Sequence, residues 1–194
     1  MAKPPTFTSE DRRFLLNLAR TTIQGVVTTG RLPEIDPTSL PSDLTEPKGC
    51  FVTLTKGGQL RGCIGHIFPR EPLYRAVMDN ARSSAILDSR FPPVQPEELD
   101  EIEIEVSVLT VPQDLRFESP ADLLRKLRPN LDGVVLKVGQ RQATFLPQVW
   151  EQLPDKEEFL ARLTMKAGLR PSAWRESGTA ILTYQVEAFK ESEM

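Results

Sequence analysis

One short segment combines a cation, a thiol and a histidine. Residues 60–66 read LRGCIGH, and His66 is the only histidine of the chain. A nearby positive charge favours the thiolate, which is the nucleophilic form of cysteine. The segment therefore predicts thiol chemistry in which Cys63 is a thiolate nucleophile or an acid–base group. Arg61 would favour the thiolate or bind an anionic group, and His66 is a candidate base.

Other residues could complete such a site. Gly62 and Gly65 let a ligand approach the backbone and could offer N–H groups to a developing negative charge. Asp88 and Arg90 stand between a predicted helix and the diproline at 92–93, where a rigid loop could present them to the thiol. We therefore expect these four residues to bind substrate. In the alternative, Asp88 belongs to a helix end and Arg90 is solvated.

Cys63 and His66 also have a purely structural interpretation. Buried free cysteine is a common small core residue, and a glycine in a strand can mark a bulge. His66 follows Cys63 by three residues, so in an extended strand the two side chains point to opposite faces unless the chain turns at Gly65. Both interpretations stay open at the level of sequence.

A β-hairpin is predicted to position Cys63. Strands at 51–55 and 60–64 flank Gly57-Gly58, and a Gly-Gly pair is a strong signal for a two-residue turn. The resulting register pairs Cys63 with Val52, Arg61 with Leu54 and Gly65 with Cys50. Cys50 and Cys63 would then share a face as diagonal neighbours, with Cα atoms about 7–8 Å apart. That separation slightly exceeds the reach of an unstrained disulfide, so pairing would need a bulge.

The remaining pattern predicts an α+β protein. Helices are expected from Thr8 to Gly30 and at 71–87, 120–127, 147–153 and 155–167, with further strands at 101–109, 134–138, 141–145 and 179–189. Hairpins occur where a doubly wound fold would need crossovers, which indicates a largely antiparallel sheet flanked by helices, in two unequal lobes. We interpret residues 1–194 as one domain with a proline-rich, structureless connector at 31–48.

Composition narrows the functional classes. The net charge of −3 gives no basic surplus for nucleic acid or an anionic membrane, and no apolar run approaches a membrane span. The N-terminus does not resemble a signal peptide, and two cysteines are too few for a disulfide scaffold, so a cytoplasmic location is predicted. Phosphate-binding and dinucleotide motifs and zinc-type spacing are missing, so we predict neither a cofactor nor a metal.

Several motifs together resemble the AMMECR domain family, whose prokaryotic members belong to the so-called AmmeMemoRadiSam system. They are GCFVTL at 49–54, LRGCIG at 60–65, DSRFPP at 88–93, VSVL at 106–109, TFLPQVW at 144–150 and KAGL at 166–169. The resemblance implies two unequal subdomains with the LRGCIG motif near a cleft between them. It also implies a MEMO-like protein and a radical S-adenosylmethionine enzyme as partners, without an established reaction. Many relatives carry a cysteine just before KAGL, where this chain has Thr164-Met165.

Three functional hypotheses remain open. The first is an enzyme that uses Cys63 beside a cleft. The second is a non-enzymatic adaptor of the MEMO-like protein or the radical enzyme, in which Arg61 and Cys63 serve packing and recognition. The third is a redox-responsive module in which Cys50 and Cys63 form a disulfide.

Overall fold

The computed structural model describes residues 7–194, which form two compact units. The first unit contains the chain up to Val111 together with Glu187–Met194, and the second contains Pro112–Val186. The helices are α1 (Ser9–Thr29), α2 (Ser42–Thr45), α3 (Leu73–Ile86), α4 (Pro120–Lys126) and α5 (Lys156–Lys166). The strands are β1 (Gly49–Lys56), β2 (Gln59–His66), β3 (Ile102–Leu109), β4 (Gln113–Asp114), β5 (Gly133–Val138), β6 (Arg141–Phe145), β7 (Thr179–Tyr184) and β8 (Val186–Lys190).

The strands form two four-stranded sheets with the orders β2-β1-β3-β8 and β4-β7-β5-β6. Strand β1 pairs antiparallel with β2 and with β3, and every pairing of the second sheet is antiparallel. The predicted α+β class with antiparallel pairing is therefore confirmed. The strands are divided between two sheets, whereas the sequence predicted one. Because β2 is an edge strand, one side of its backbone must find partners outside the ladder.

The first sheet has one apolar face, which we call the inner face. On β1 it carries Cys50, Val52 and Leu54, all fully buried, and β3 adds aliphatic side chains in the same alternation. Helices α1 and α3 pack their buried apolar side chains into this core. The opposite or outer face carries the alternate residues of each strand. Thr53 of β1 and Glu105 of β3 lie opposite each other on it.

Helix α1 shows how the local sequence fixes the element that covers this core. Thr8 and Asp11 form a capping box, in which the Thr8 hydroxyl accepts a hydrogen bond from the Asp11 amide and the Asp11 carboxylate accepts one from the Thr8 amide. Gly30 ends the helix in a left-handed conformation with φ of 72°. Arg20 then anchors the helix, because its guanidinium binds both carboxylate oxygens of Glu191 near the C-terminus.

Three sequence predictions need correction. The strand predicted at 179–189 is two strands, because the chain leaves the second sheet after Tyr184 and joins the first sheet from Val186. The connector at 31–48 is not structureless, since it contains a 3-10 helix at Pro37–Ser39 and helix α2 with the buried Leu44. The segment predicted as a helix at 147–153 is a 3-10 helix.

The second unit has its own aromatic core. Trp150 stacks on Phe159 with ring centroids 3.5 Å apart, and its indole N–H donates to the Asp132 carbonyl at 2.7 Å. Thr164, two residues before the KAGL motif, is fully buried, and its hydroxyl donates to the Leu160 carbonyl at 2.5 Å. Position 164 therefore belongs to the packing of α5 in this chain.

Helix α3 holds the hairpin through one hydroxyl. The Ile64 amide donates to Ser84 Oγ at 2.9 Å, and Ser84 Oγ donates to the Val52 carbonyl at 2.7 Å. The Ser84 hydroxyl therefore bridges β1 and β2. Gly62 makes this approach possible, because a Cβ there would lie 2.2 Å from the Ser84 carbonyl oxygen.

We predict that Ser84→Ala lowers the free energy of unfolding by about 1–3 kcal/mol, because it leaves the partly buried Ile64 amide and the buried Val52 carbonyl without this partner. Ser83→Ala is the matched control, since Ser83 is the preceding residue of α3 and lies half-buried. We expect the control to stay within about 0.5 kcal/mol of wild type in urea denaturation. Equal losses in both variants would show that the bridge contributes nothing.

Candidate functional site

The hairpin register differs from the prediction because β2 contains a bulge. The two-residue turn is as expected, with Gly57 and Gly58 at positive φ and Lys56 opposite Gln59. The register then shifts between Leu54 and Thr55. The observed partners are Leu54 with Gly62 and Thr55 with Leu60, so Arg61 is the extra residue. Beyond the bulge, Cys63 lies opposite Thr53 instead of Val52, Gly65 opposite Phe51, and Cys50 opposite His66.

This register separates the two thiols. Cys50 lies on the inner face and Cys63 on the outer face, so the predicted shared face is wrong and a disulfide would have to cross the sheet. Both cysteines are free. Burial raises the pKa of the Cys50 thiol to about 12, although the Asn80 amide donates to its Sγ at 3.2 Å. Cys50 is therefore a neutral core thiol at physiological pH.

His66 is not placed to act on Cys63. It lies opposite Cys50 at the end of β2, on the inner face, as the spacing of three residues predicted for an extended strand. Its Nε2 atom is buried and has no hydrogen-bond partner among residues 7–194. Desolvation lowers the pKa of His66, and the charge of Arg70 lowers it further. The expected catalytic pairing of His66 with Cys63 is therefore wrong.

Cys63 sits half-buried on the outer face at the free edge of β2. The Thr53 hydroxyl donates to Cys63 Sγ at 3.2 Å. The Cys63 amide donates to Asp88 Oδ2 at 2.9 Å, and the Cys63 carbonyl accepts from Arg90 Nη2 at 3.0 Å. Asp88 and Arg90 thus bind the backbone of Cys63 at the edge of β2, where a further strand would otherwise pair. Their predicted proximity to Cys63 agrees with this geometry.

Asp88 and Arg90 also bind each other. The guanidinium donates to both carboxylate oxygens, with Nη2 2.6 Å from Oδ2 and Nε 2.9 Å from Oδ1. The hydrogen bonds from Arg90 hold the pKa of Asp88 far below its usual range. The hydrogen bond from the Cys63 amide lowers it further, by a smaller amount. The pKa of Arg90 is raised, mainly by Asp88 and in smaller part by the negative charge of a Cys63 thiolate. The Asp88 side chain is buried, whereas about half of the Arg90 side chain is exposed.

Arg61 has a different partner from the one expected. Its Nε and Nη2 atoms bind the two carboxylate oxygens of Glu98 at 2.9 and 2.8 Å, and Nη1 donates to the Pro92 carbonyl. The Arg61 hydrogen bonds lower the pKa of Glu98 to about 2. The anionic group that Arg61 binds is therefore a carboxylate of the protein itself. No contact joins Arg61 to the thiol of Cys63.

The two glycines of the motif serve the packing of the protein itself. At Gly65 a Cβ would lie 2.4 Å from atoms of the Phe51 ring, which covers this residue on the outer face. At Gly62 the corresponding space is taken by the Ser84 carbonyl. Atoms of the protein therefore occupy the space that a side chain would fill at each glycine. A ligand cannot enter this space, contrary to the predicted role in substrate access.

A row of polar residues on the outer face was missed from sequence. Thr53 lies opposite Cys63 on one side and Glu105 on the other, so these three residues form one line across β2, β1 and β3. Ser107 Oγ donates to Glu105 Oε1 at 3.2 Å. The acid–aliphatic alternation of β3 indicated a polar face, but only the three-strand register shows that this face also carries Cys63.

The row does not form a metal-ligand set. Among the described residues 7–194, no three His, Cys, Asp or Glu side chains converge in the manner of a metal site. A helix long and apolar enough to cross a membrane is likewise missing from this part of the chain.

Comparison with known proteins places the chain in a family. The AMMECR1 family profile matches residues 16–189, and the chain belongs to this family. A protein of Methanothermobacter thermautotrophicus is 42% identical over 183 residues, covering 94% of this chain and 95% of its own. One from Methanosarcina acetivorans is 41% identical over 189 residues, covering 96% and 94%. The crystal structure of an uncharacterised Pyrococcus horikoshii protein matches with a TM-score of 0.86 and 39% identity, over 95% of this chain and 93% of that one.

Asp88→Asn is expected to destabilise the protein at pH 7 by about 1–3 kcal/mol, because Arg90 and the Cys63 amide lose a charged acceptor. The pKa of Asp88 is lowered in the folded state, so its contribution is present above the unfolded value of about 3.9 and is lost as the pH falls below it. Wild type should therefore lose stability on acidification more steeply than the variant.

Urea denaturation at pH 7 and pH 3 measures this difference. Asp100→Asn serves as the control, since Asp100 is exposed and takes part in no ion pair among the described residues. The difference in free energy of unfolding between wild type and Asp88→Asn should shrink from pH 7 to pH 3. A constant difference would show that the ionised carboxylate does not stabilise the edge of β2.

Proposed function

We propose that the protein is a thiol-dependent enzyme in which Cys63 acts as the nucleophile on the outer face of the first sheet. The contact between the Thr53 hydroxyl and Cys63 Sγ carries this proposal. A hydroxyl that donates to sulfur stabilises the thiolate, which is the reactive form. The Arg90 guanidinium donates to the Cys63 carbonyl and so fixes the residue that carries the thiol, while Asp88 offsets most of its charge.

The contrast between the two cysteines supports the proposal. Cys50 is completely buried and has a raised pKa, whereas Cys63 is partly exposed and has a hydroxyl donor on its sulfur. Reactive cysteines occupy partly exposed positions near positive charge, and structural cysteines are buried in apolar surroundings. This contrast favours Cys63, and not Cys50, as the proposed nucleophile.

The second candidate function is that of a non-enzymatic adaptor. It is favoured by the internal ion pairs, because Arg61 with Glu98 and Asp88 with Arg90 give the LRGCIG and DSRFPP motifs a role in holding the hairpin. The resemblance names a MEMO-like protein and a radical S-adenosylmethionine enzyme as partners for such a role. Cys63→Ser should leave affinity for these partners intact if Cys63 is a nucleophile, and should weaken it if Cys63 lies in a recognition surface.

We predict that iodoacetamide alkylates Cys63 in the native protein, whereas Cys50 is alkylated only after unfolding. Site-resolved mass spectrometry between pH 6 and 10 measures both rates. Thr53→Val should slow alkylation of Cys63 at pH 7 by about 10-fold, since the thiolate loses a hydrogen bond to a charged group.

Thr55→Val is the matched control, because Thr55 lies on the same strand two residues away and on the same face. Its rate should equal that of wild type. The nucleophile proposal would be abandoned if native Cys63 failed to react, or if the two threonine variants reacted alike.

A further inference from the structure

The charges around Cys63 are paired with one exception. Arg61 is neutralised by Glu98, and Arg90 by Asp88. Glu105 lies on the outer face with its carboxylate held by the Ser107 hydroxyl, and none of the cations among residues 7–194 forms an ion pair with it. Glu103, the other β3 carboxylate on this face, accepts a hydrogen bond from Ser192 and lies near the charge of Lys190. Glu105 is therefore the carboxylate closest to the thiol that has no cationic partner among the described residues.

This carboxylate and the thiol lie on either side of Thr53. The Cys63, Thr53 and Glu105 backbones are successive in the sheet, so Cys63 and Glu105 are separated by two strand spacings, about 9.5 Å. The side chains share one face, and Thr53 between them is short. A ligand above Thr53 could contact the thiol at one end and the carboxylate at the other.

We propose that Glu105 binds a cationic group, an ammonium or a guanidinium, of the molecule on which Cys63 acts. This inference rests on the proposed function, because it names the class of substrate for the same thiol. It reverses the expectation from sequence that Arg61 attracts an anion. The two guanidinium groups of the motif already have carboxylate partners, whereas the Glu105 carboxylate has only a neutral hydroxyl donor. A half-buried carboxylate of this kind attracts a cationic partner.

Two thiol reagents of opposite charge test the electrostatic part of the proposal. They are 2-(trimethylammonio)ethyl and 2-sulfonatoethyl methanethiosulfonate. In both reactions the Cys63 thiolate attacks the sulfur bonded to the organic group, a disulfide forms, and methanesulfinate leaves with the electrons of the broken S–S bond. Mass spectrometry measures the rate of each reaction at Cys63. Each rate is divided by the rate at which the same reagent modifies free 2-mercaptoethanol, and the ratio of the two quotients is the cation-to-anion preference.

The wild-type protein should prefer the cationic reagent by about 3- to 10-fold at low salt, the effect of one charge at this distance in a partly aqueous setting. Glu105→Gln should bring the preference close to one. Glu97→Gln is the control, because it removes an exposed carboxylate of the same unit and changes the net charge equally. It should keep the wild-type preference. In 1 M salt the preference should disappear, since screening then acts within about 3 Å.

The outcomes separate the two proposals. If both reagents modify Cys63 and Glu105→Gln leaves their ratio unchanged, the cation site is wrong and the nucleophile stands. A preference of the wild-type protein for the anionic reagent would also contradict the cation site and leave the nucleophile proposal standing. If neither reagent modifies native Cys63, the proposed function fails and the cation site fails with it. A fall in the ratio in Glu105→Gln alone supports both.

Discussion

The bulge in β2 is the feature that decides which residues lie on each face of the first sheet. Side chains alternate between the two faces of a sheet, so a shift of one residue moves every later side chain to the other face. The extra residue is Arg61, and its guanidinium is fixed by Glu98 and by the Pro92 carbonyl. The ion pair thereby holds the inserted residue in place. As a consequence Cys63 lies beside Thr53 on the outer face, and Cys50 stays in the core.

The free edge of β2 explains why a loop of polar residues accompanies the thiol. An edge strand has amide and carbonyl groups that require partners outside the ladder. Asp88 accepts from the Cys63 amide and Arg90 donates to the Cys63 carbonyl, so this loop supplies the hydrogen bonds of a missing strand. Because these groups are charged, the same contacts place an ion pair at the backbone of the residue that carries the thiol. Stabilisation of the edge and the electrostatics of Cys63 therefore come from one pair of residues.

The local elements could be predicted from sequence, whereas the arrangement of the site could not. The caps of α1 and the Gly57-Gly58 turn are determined by neighbouring residues, and both were predicted correctly. The bulge was missed because the contact that holds its extra residue comes from Glu98, 37 positions away in sequence. The break between β7 and β8 was missed for a related reason. No glycine or proline marks it, and only the membership of the two strands in different sheets requires it.

The charge balance around Cys63 gives the thiol and Glu105 a common role. An ion pair has a much weaker field at a distance than a single charge, so Arg61 with Glu98 contributes little at the sulfur. Arg90 acts at closer range, but Asp88 cancels most of its charge. An unpaired carboxylate on the same face disfavours a second negative charge nearby. The proposed cationic group at Glu105 would offset that charge, so the proposed recognition of the ligand and the proposed reaction at Cys63 would support each other.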